Sequence, residues 1–354
     1  MAESPPFCSV VIVTYNGKDL LRPCLSAALA QRYSPYEIIL VDNASADGSA
    51  EMVAAEFPSV RVIRAPRNLG FAGGNNEGVR HARGALIALL NNDAVPEREW
   101  LGSLVDAVTR PGVAVAGSSI RTEGIPERYY ERNGSVNFLC HNIMRKFARP
   151  EETFFAGGAA LIFRRDILGI PFDEDYFLYI EDVYLSMRAR FMGYDVVQSP
   201  ASRVRHKGSS STRREPSALM TMYQERNRLL TIALFFSPVT LVRLAPLVAA
   251  SVPAKIAAAC VGRRYAPGGL LRAYGWMLLH PASIARKRKA LRAERRVKDA
   301  AVTSWMTADL TNGESPGGNF LNSVARLYCR MAGLSTLELR SGLAEFEQGP
   351  GGGG

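Results

Sequence analysis

Apolar positions in the first 120 residues fall into short blocks separated by polar turns. "CSVVIVT" (8–14), "YEIILVD" (36–42), "SVRVIRA" (59–65), "ALIALL" (85–90) and "VAVAGS" (113–118) are rich in β-branched residues and bounded by turn formers, which predicts strands. Ala- and Leu-bearing stretches lie between them at 17–31, 47–57, 74–83 and 97–109. Continuous apolar strands alternating with helices indicate an α/β fold, a mostly parallel sheet flanked by helices on both faces. In such sheets ligands lie outside the carboxyl ends of the strands. The residues at those ends are Thr14, Tyr15 and Asn16, then Asp42 and Asn43, then Arg67 to Gly70, then Asn91, Asn92 and Asp93. One polar tip reads as an Asx-turn. Four on the same edge read as a binding site.

The pattern weakens from 119 to 152, where "IPERYYERNG" reads as a loop over the sheet edge. Order returns with the strand-like run "TFFAGGAALIFRRD" and its Gly157-Gly158 pair. Helical periodicity begins near Ile180, with Val183, Met187 and Phe191 as its apolar stripe, which puts Glu181 and Asp182 in a first helical turn. "DVVQSP" predicts another strand, ending near Arg205, His206 and Lys207. Beyond Pro216 the chain becomes strongly apolar but is broken by Pro238, Arg243, Pro246, Pro253 and Lys255. A bilayer span needs about 20 predominantly apolar residues, so the expectation is a set of short helices in the membrane interface. These shifts divide the chain into 1–230, an apolar then basic helical segment at 231–300, C-terminal helices at 301–345 and a Gly-rich tail at 346–354, expected to be disordered.

Composition adds four points. Length suggests about two domains, or one domain with an appendage, and 47% apolar with 21% charged residues is ordinary for a globular chain. Five scattered cysteines without a C-x-x-C pair argue for a reducing compartment and against a disulfide framework or a zinc site. The start of the chain lacks the basic region of a signal peptide. The net charge of +10 is localised, since residues 263–298 hold eleven Lys or Arg and one acid, Glu294. A neutral body with one cationic segment points to a local contact with anionic lipid or nucleic acid. No interleaved aromatics or nucleic-acid motif accompany the cations, so anionic inner-leaflet lipid is the expected partner and nucleic acid is not.

"VVIVTYNG", "ILVDNASADGS", "RNLGFAGGNNEG", "LLNNDA", "FFAGGAALIFRR", "YFLYIEDVYLSMRARFMGY" and "VRHKGSSS" occur in that order. Together they resemble a family 2 inverting glycosyltransferase of the GT-A fold, especially the bacterial rhamnosyltransferase-like branch, over residues 7–230. The resemblance makes 1–230 a catalytic domain and 231–300 its membrane-associating appendage. It implies transfer of a sugar from a nucleotide-diphosphate donor to a hydroxyl of a glycan or polyprenyl-linked acceptor.

On the family pattern Asp42 accepts a hydrogen bond from the pyrimidine ring, and Thr14, Tyr15 and Asn16 line the base and ribose pocket. Arg67, Asn68 and Asn92 fall among the nucleotide-sugar contacts. Gly70, Gly73 and Gly74 supply a loop allowing close approach or positive φ. A helix N-cap is the plain alternative for Asn16. "NND" stands at the D-x-D-like position, so Asp93 would ligate a divalent cation, Mn²⁺ or Mg²⁺. Asn91 occupies the place of the first Asp, which leaves its ligation open. His206 matches a family histidine that completes the metal shell, and imidazole favours Mn²⁺ over Mg²⁺.

Asp182 is the expected base, a carboxylate whose ionised form a helix N-terminus favours. Tyr184 stands where a second acid is common. The donor reads first as dTDP-rhamnose, then as a UDP-hexose or UDP-galactofuranose. The expected location is cytoplasmic, peripheral on the inner face of the membrane. A silent nucleotide-sugar-binding module and a doubly wound oxidoreductase are the alternatives, although "GFAGGN" lacks the dinucleotide spacing.

Overall fold

A computed structural model describes residues 4–125, 133–208, 217–261, 265–313 and 315–340. Most of "IPERYYERNG", the serines of "VRHKGSSS", Arg263 and Arg264, and the Gly-rich tail lie outside the described residues. The elements in chain order are β1 (Cys8–Thr14), α1 (Lys18–Leu29), β2 (Tyr36–Asp42), α2 (Ser49–Glu56), β3 (Arg61–Arg64), α3 (Gly70–His81), β4 (Leu86–Asn91) and β5 (Ala94–Pro96). Then come α4 (Trp100–Val108), β6 (Val113–Thr122), β7 (Asn133–Val136), β8 (Asn142–Arg145), β9 (Ala160–Arg164), α5 (Arg165–Leu168), α6 (Glu181–Phe191) and β10 (Asp195–His206). Helices α7 (Ala218–Phe235), α8 (Pro238–Cys260), α9 (Pro267–Leu279), α10 (Pro281–Glu294), α11 (Asp299–Thr303) and α12 (Pro316–Met331) complete the described chain.

The chain forms two compact units, the first made of 1–133, 146–189 and 194–215. Its sheet has the order β3-β2-β1-β4-β9-β6-β10-β5. β1 pairs parallel with β2 and β4, β2 with β3, and β6 with β10. β9 runs antiparallel between β4 and β6, and β5 antiparallel along β10. The mostly parallel sheet expected from the apolar blocks is therefore present. Val10, Ile12, Ile38, Leu40, Leu86, Ala88 and Leu90 face a core with Leu21, Leu25, Trp100 and Leu104 from α1 and α4. On the other face α3 comes close because Gly78 has no side chain. A Cβ there would stand 2.3 Å from Val11 Cγ1.

The glycine-rich stretch expected as a loop is the first half of α3. The helix starts at Gly70, whose φ of +71° suits the left-handed region. A Cβ at Gly70 would sit 2.4 Å from the Phe177 carbonyl oxygen.

The second unit comprises 134–145, 190–193 and 216–354. It includes α7, which the sequence reading attaches to the first domain. Inside it Glu225 of α7 accepts from Arg228 at 2.5 and 3.0 Å, from Tyr274 Oη at 3.2 Å and from Lys255 Nζ. Lys255 Nζ also donates to His141 Nε2 at 3.0 Å. Burial works to raise the Glu225 pKa, but the Arg228 hydrogen bonds and the two cations outweigh it and hold the carboxyl at about 2.

Helix α8 corrects an expectation. In place of short helices, one helix of 23 residues runs through Pro246 and Pro253. Each proline leaves the carbonyl four residues before it without a donor. Those residues, Val242 and Ala249, are exposed, so water can take the donor's place. Ser237 caps the start by accepting from Thr240 N at 3.3 Å. By length and composition α8 is long and apolar enough to cross a membrane.

Candidate active site

Strand register lines up the expected residues. Thr14 pairs with Asp42, Asp42 with Arg64, and Val13 with Asn91, so the ends of four strands form one row. Asp42 is buried, and its Oδ1 accepts from Ser45 N at 3.2 Å. Thr14 Oγ1 accepts from Asn92 Nδ2 at 2.9 Å, fixing the amide above the end of β1. Tyr15 is half exposed at the rim (52%).

Asn16 is not a helix cap. Its φ is 50°, its Oδ1 accepts from Ala46 N at 2.8 Å, and its N–H donates to Ser45 Oγ at 3.0 Å. It therefore ties the loop after β1 to the loop after β2. The start of α1 is served from that neighbouring loop, where Asp47 Oδ2 accepts from Lys18 N at 2.9 Å.

Beyond β3, Arg67 is exposed and Asn68 closes an Asx-turn, its Oδ1 accepting from Gly70 N at 2.8 Å. Asn43 is a positioning residue that the sequence reading quotes without a role. Its Nδ2 donates to Gly70 O at 2.9 Å and its Oδ1 accepts from Leu69 N at 3.3 Å. An amide at the tip of β2 was the available signal.

At the end of β4, Asn91 N donates to Ala159 O at 2.9 Å. Asp93 lies just beyond, and β10 turns His206 toward it. His206 Nε2 is 3.1 Å from Asp93 Oδ1, and the side chains are 16% and 5% exposed. Asp93 Oδ2 is buried without a hydrogen-bond partner, and His206 Nε2, close as it is to Oδ1, is buried and makes no hydrogen bond. Orphaned buried polar atoms are rare and costly.

A carboxylate oxygen and an imidazole nitrogen both aimed at one point suit a divalent cation of the Mn²⁺ type. No group of three or more His, Cys, Asp or Glu able to hold a metal occurs among the described residues. A cation here would take its remaining ligands from phosphate oxygens and water. The pair borders a cavity of about 580 Å³ lined by Asp19, Asp93, Arg121, Arg205, His206 and Lys207. Arg205 and Lys207 fall at the strand end that the sequence predicts, whereas Arg121 of β6 does not stand out there, because β-strand neighbours are set by register.

Helix α6 starts at Glu181, as the periodicity predicts. Asp182 Oδ2 accepts from Gly158 N at 3.2 Å and Oδ1 from Val183 N at 2.8 Å. Gly158 is one residue from Ala159, so the peptide chain links the Asp182 carboxylate to the Asn91 end of β4. The balance of protonation differs from the helix-dipole expectation. Burial raises the Asp182 pKa against the pull of the Gly158 and Val183 N–H groups. Glu181 is more buried. Its environment, together with the neighbouring Asp182 charge, pushes it up to about 8. Its Oε2 has no partner. Tyr184, at the position of the expected second acid, is buried with its ring centroid 5.0 Å from that of Tyr176.

The segment leading into α6 is strained. Phe177, Tyr179 and Ile180 all adopt positive φ, at 56°, 72° and 69°. This conformation is costly for bulky and β-branched residues and concentrates at functional sites. It cannot be read from side-chain types. Phe177 O accepts from Ala72 N at 3.2 Å, which ties this segment to α3.

The sequence profile of Glycosyl transferase family 2 matches residues 9–169. The glycosyltransferase AglE of Haloferax volcanii is 30% identical over 125 residues, 34% of this chain and 41% of AglE. The N-acetylglucosaminyl-diphospho-decaprenol L-rhamnosyltransferase of Mycobacterium tuberculosis is 26% identical over 256 residues, covering 61% of this chain and 81% of that protein. The chain spans less than half the length of several curated relatives it matches. GalNAc-T7, solved with UDP, GalNAc and Mn²⁺, superposes with a TM-score of 0.56 at 17% identity, over 67% of this chain and 49% of that one. That likeness is one of fold, and the fold is GT-A.

Proposed function

We propose that this chain, whose residues 9–169 match the profile of glycosyltransferase family 2, transfers a sugar, with inversion, from a nucleoside-diphosphate donor to an acceptor hydroxyl. The single observation that carries this reading is the buried Asp93–His206 pair with its orphaned atoms, on the edge where Thr14, Asp42 and Asn92 align. Asp42 holds the pyrimidine, with Thr14, Tyr15, Asn16, Arg67, Asn68 and Asn92 around the nucleotide. Asp93 and His206 hold a divalent cation, which when bound offsets charge on the departing diphosphate. Asn43 and the Gly70 turn keep α3 close enough to bound the pocket.

Asp182 takes the proton from the acceptor hydroxyl. The acceptor oxygen forms its bond to the anomeric carbon as the bond to the diphosphate oxygen breaks, on the opposite side of that carbon. A raised pKa suits this task, because a stronger base accepts the proton more readily. Glu181, protonated near neutrality, leaves the negative charge on Asp182.

The donor is first rhamnose on thymidine diphosphate, a choice supported by the match to the mycobacterial rhamnosyltransferase. A UDP-hexose or UDP-galactofuranose is second. The acceptor is a glycan carried on a polyprenyl lipid, and the enzyme works peripherally at the inner face of the membrane through the cationic stretch 263–298. In assays with purified donor and acceptor, Asp182→Asn should lose transfer by several orders of magnitude and keep donor affinity. Near-normal turnover would remove Asp182 from the chemistry. Mn²⁺-dependent thermal stabilisation across a panel of nucleotide sugars identifies the donor.

A further inference from the structure

Large apolar side chains are unevenly exposed. Among the described residues the first unit exposes four, Tyr15, Leu29, Ile125 and Ile170, and the second exposes fourteen. Five of the fourteen belong to one helix, α12. Phe320, Leu321, Val324, Leu327 and Met331 are 49–79% exposed. The residues α12 buries are Gly318, Asn322, Ala325 and Cys329.

Both sets follow the same i, i+4, i+7, i+11 spacing, displaced by two residues. Two residues turn a helix by about 200°, so the small and polar face is packed and the Phe-Val-Leu-Met face looks outward. The orientation is fixed. Asn322 Oδ1 accepts from Leu310 N at 2.9 Å and Thr311 N at 3.0 Å, and Arg326 pairs with Asp309 at 2.6 and 2.7 Å. On a helix of a water-soluble surface the two faces would be exchanged.

We infer that the outward face of α12 inserts into the interfacial region of an anionic lipid bilayer. The occupant must offer an apolar interior behind a negative rim. The same unit carries exposed Arg286, Lys289, Arg292, Arg296 and Lys298 within the +10 stretch, next in sequence to α9 with its exposed Leu271, Leu278 and Leu279. Exposed apolar stripes and exposed cations carried by one unit match an acidic membrane surface. A second copy of this chain would bring the same positive charge against itself. The inference rests on the membrane placement proposed above and adds the element that enters the lipid. The chemistry of the first unit does not enter it.

The test is co-sedimentation of the full chain with phosphatidylglycerol-containing and with pure phosphatidylcholine vesicles. The native chain should bind the former, and V324N/L327Q should bind them roughly tenfold or more weakly. Both positions are exposed, so the double variant should keep the native melting temperature. Equal binding by the double variant, with the charge-reversed R286E/K289E released, would overturn the role of α12 and leave the placement standing. A native chain that binds neither vesicle would overturn both. A native dimer that the double variant converts to monomer, with vesicle binding unchanged, would assign the stripe to self-association and overturn the inference.

Discussion

Glu181→Gln offers a test that does not depend on knowing the donor. Glu181 is buried, and its carboxyl sits at about 8 against an ordinary value of 4.5. The folded chain therefore keeps a proton that the unfolded chain loses above 4.5. Stability contributed by that proton is present below 4.5 and is lost as pH rises toward 8. The ceiling is about 1.4 kcal/mol per pH unit. From pH 5 to pH 8 this reaches ~4 kcal/mol, and sharing of the proton with Asp182 reduces the expected change to about 2 kcal/mol.

A glutamine cannot titrate. Whatever its amide costs or contributes beside the unpartnered oxygen is the same at each pH. In urea unfolding followed by circular dichroism, the difference between variant and native chain should move by about 2 kcal/mol in the variant's favour between the two pH values. If the two stability profiles run parallel, Glu181 does not carry the proton and the assignment of charge to Asp182 fails.

Three further outcomes are expected. Asp93→Ala should weaken Mn²⁺-dependent donor binding in calorimetry and leave metal-free binding nearly unchanged. Equal loss with and without metal would show a structural role instead. Glu225→Gln leaves Arg228 and Lys255 buried without their anion, and should destabilise the second unit by about 3–5 kcal/mol in thermal unfolding. Acid should act on the same pair in the native chain. Because the Glu225 carboxyl is held at about 2, its contribution is full above the ordinary carboxylate range and disappears as pH falls from there through 2, so an acid transition absent from that window would contradict the ion cluster.

The ends of β1, β2 and β4 were readable from the chain because a buried parallel strand must be apolar throughout and can turn polar only where it leaves the sheet. The helix at α6 was readable because Val183, Met187 and Phe191 recur on one face. The start of α3 is not, since Gly70 reads as loop when its use is close approach to the Phe177 backbone. The sequence predicts a broken α8 because prolines interrupt isolated helices, whereas exposed carbonyls let this one continue. The nearness of Asp93 and His206 came from the family resemblance, because no local pattern says that β10 lies beside β5. The positive φ values of Phe177, Tyr179 and Ile180 left no trace in the residue types.

The reversed direction of β9 has a consequence for how this site tolerates change. β9 begins where β4 stops, so Ala159 takes the Asn91 N–H and the adjacent Gly158 gives its own to Asp182. The span from the Asn91 end of β4 to the Asp182 carboxylate is thus set by the single Gly158–Ala159 peptide link. Side-chain replacements around the cleft can retune acidity or reshape the space for a new sugar without altering that span. Inserting or deleting one residue between Gly157 and Ala160 would alter it.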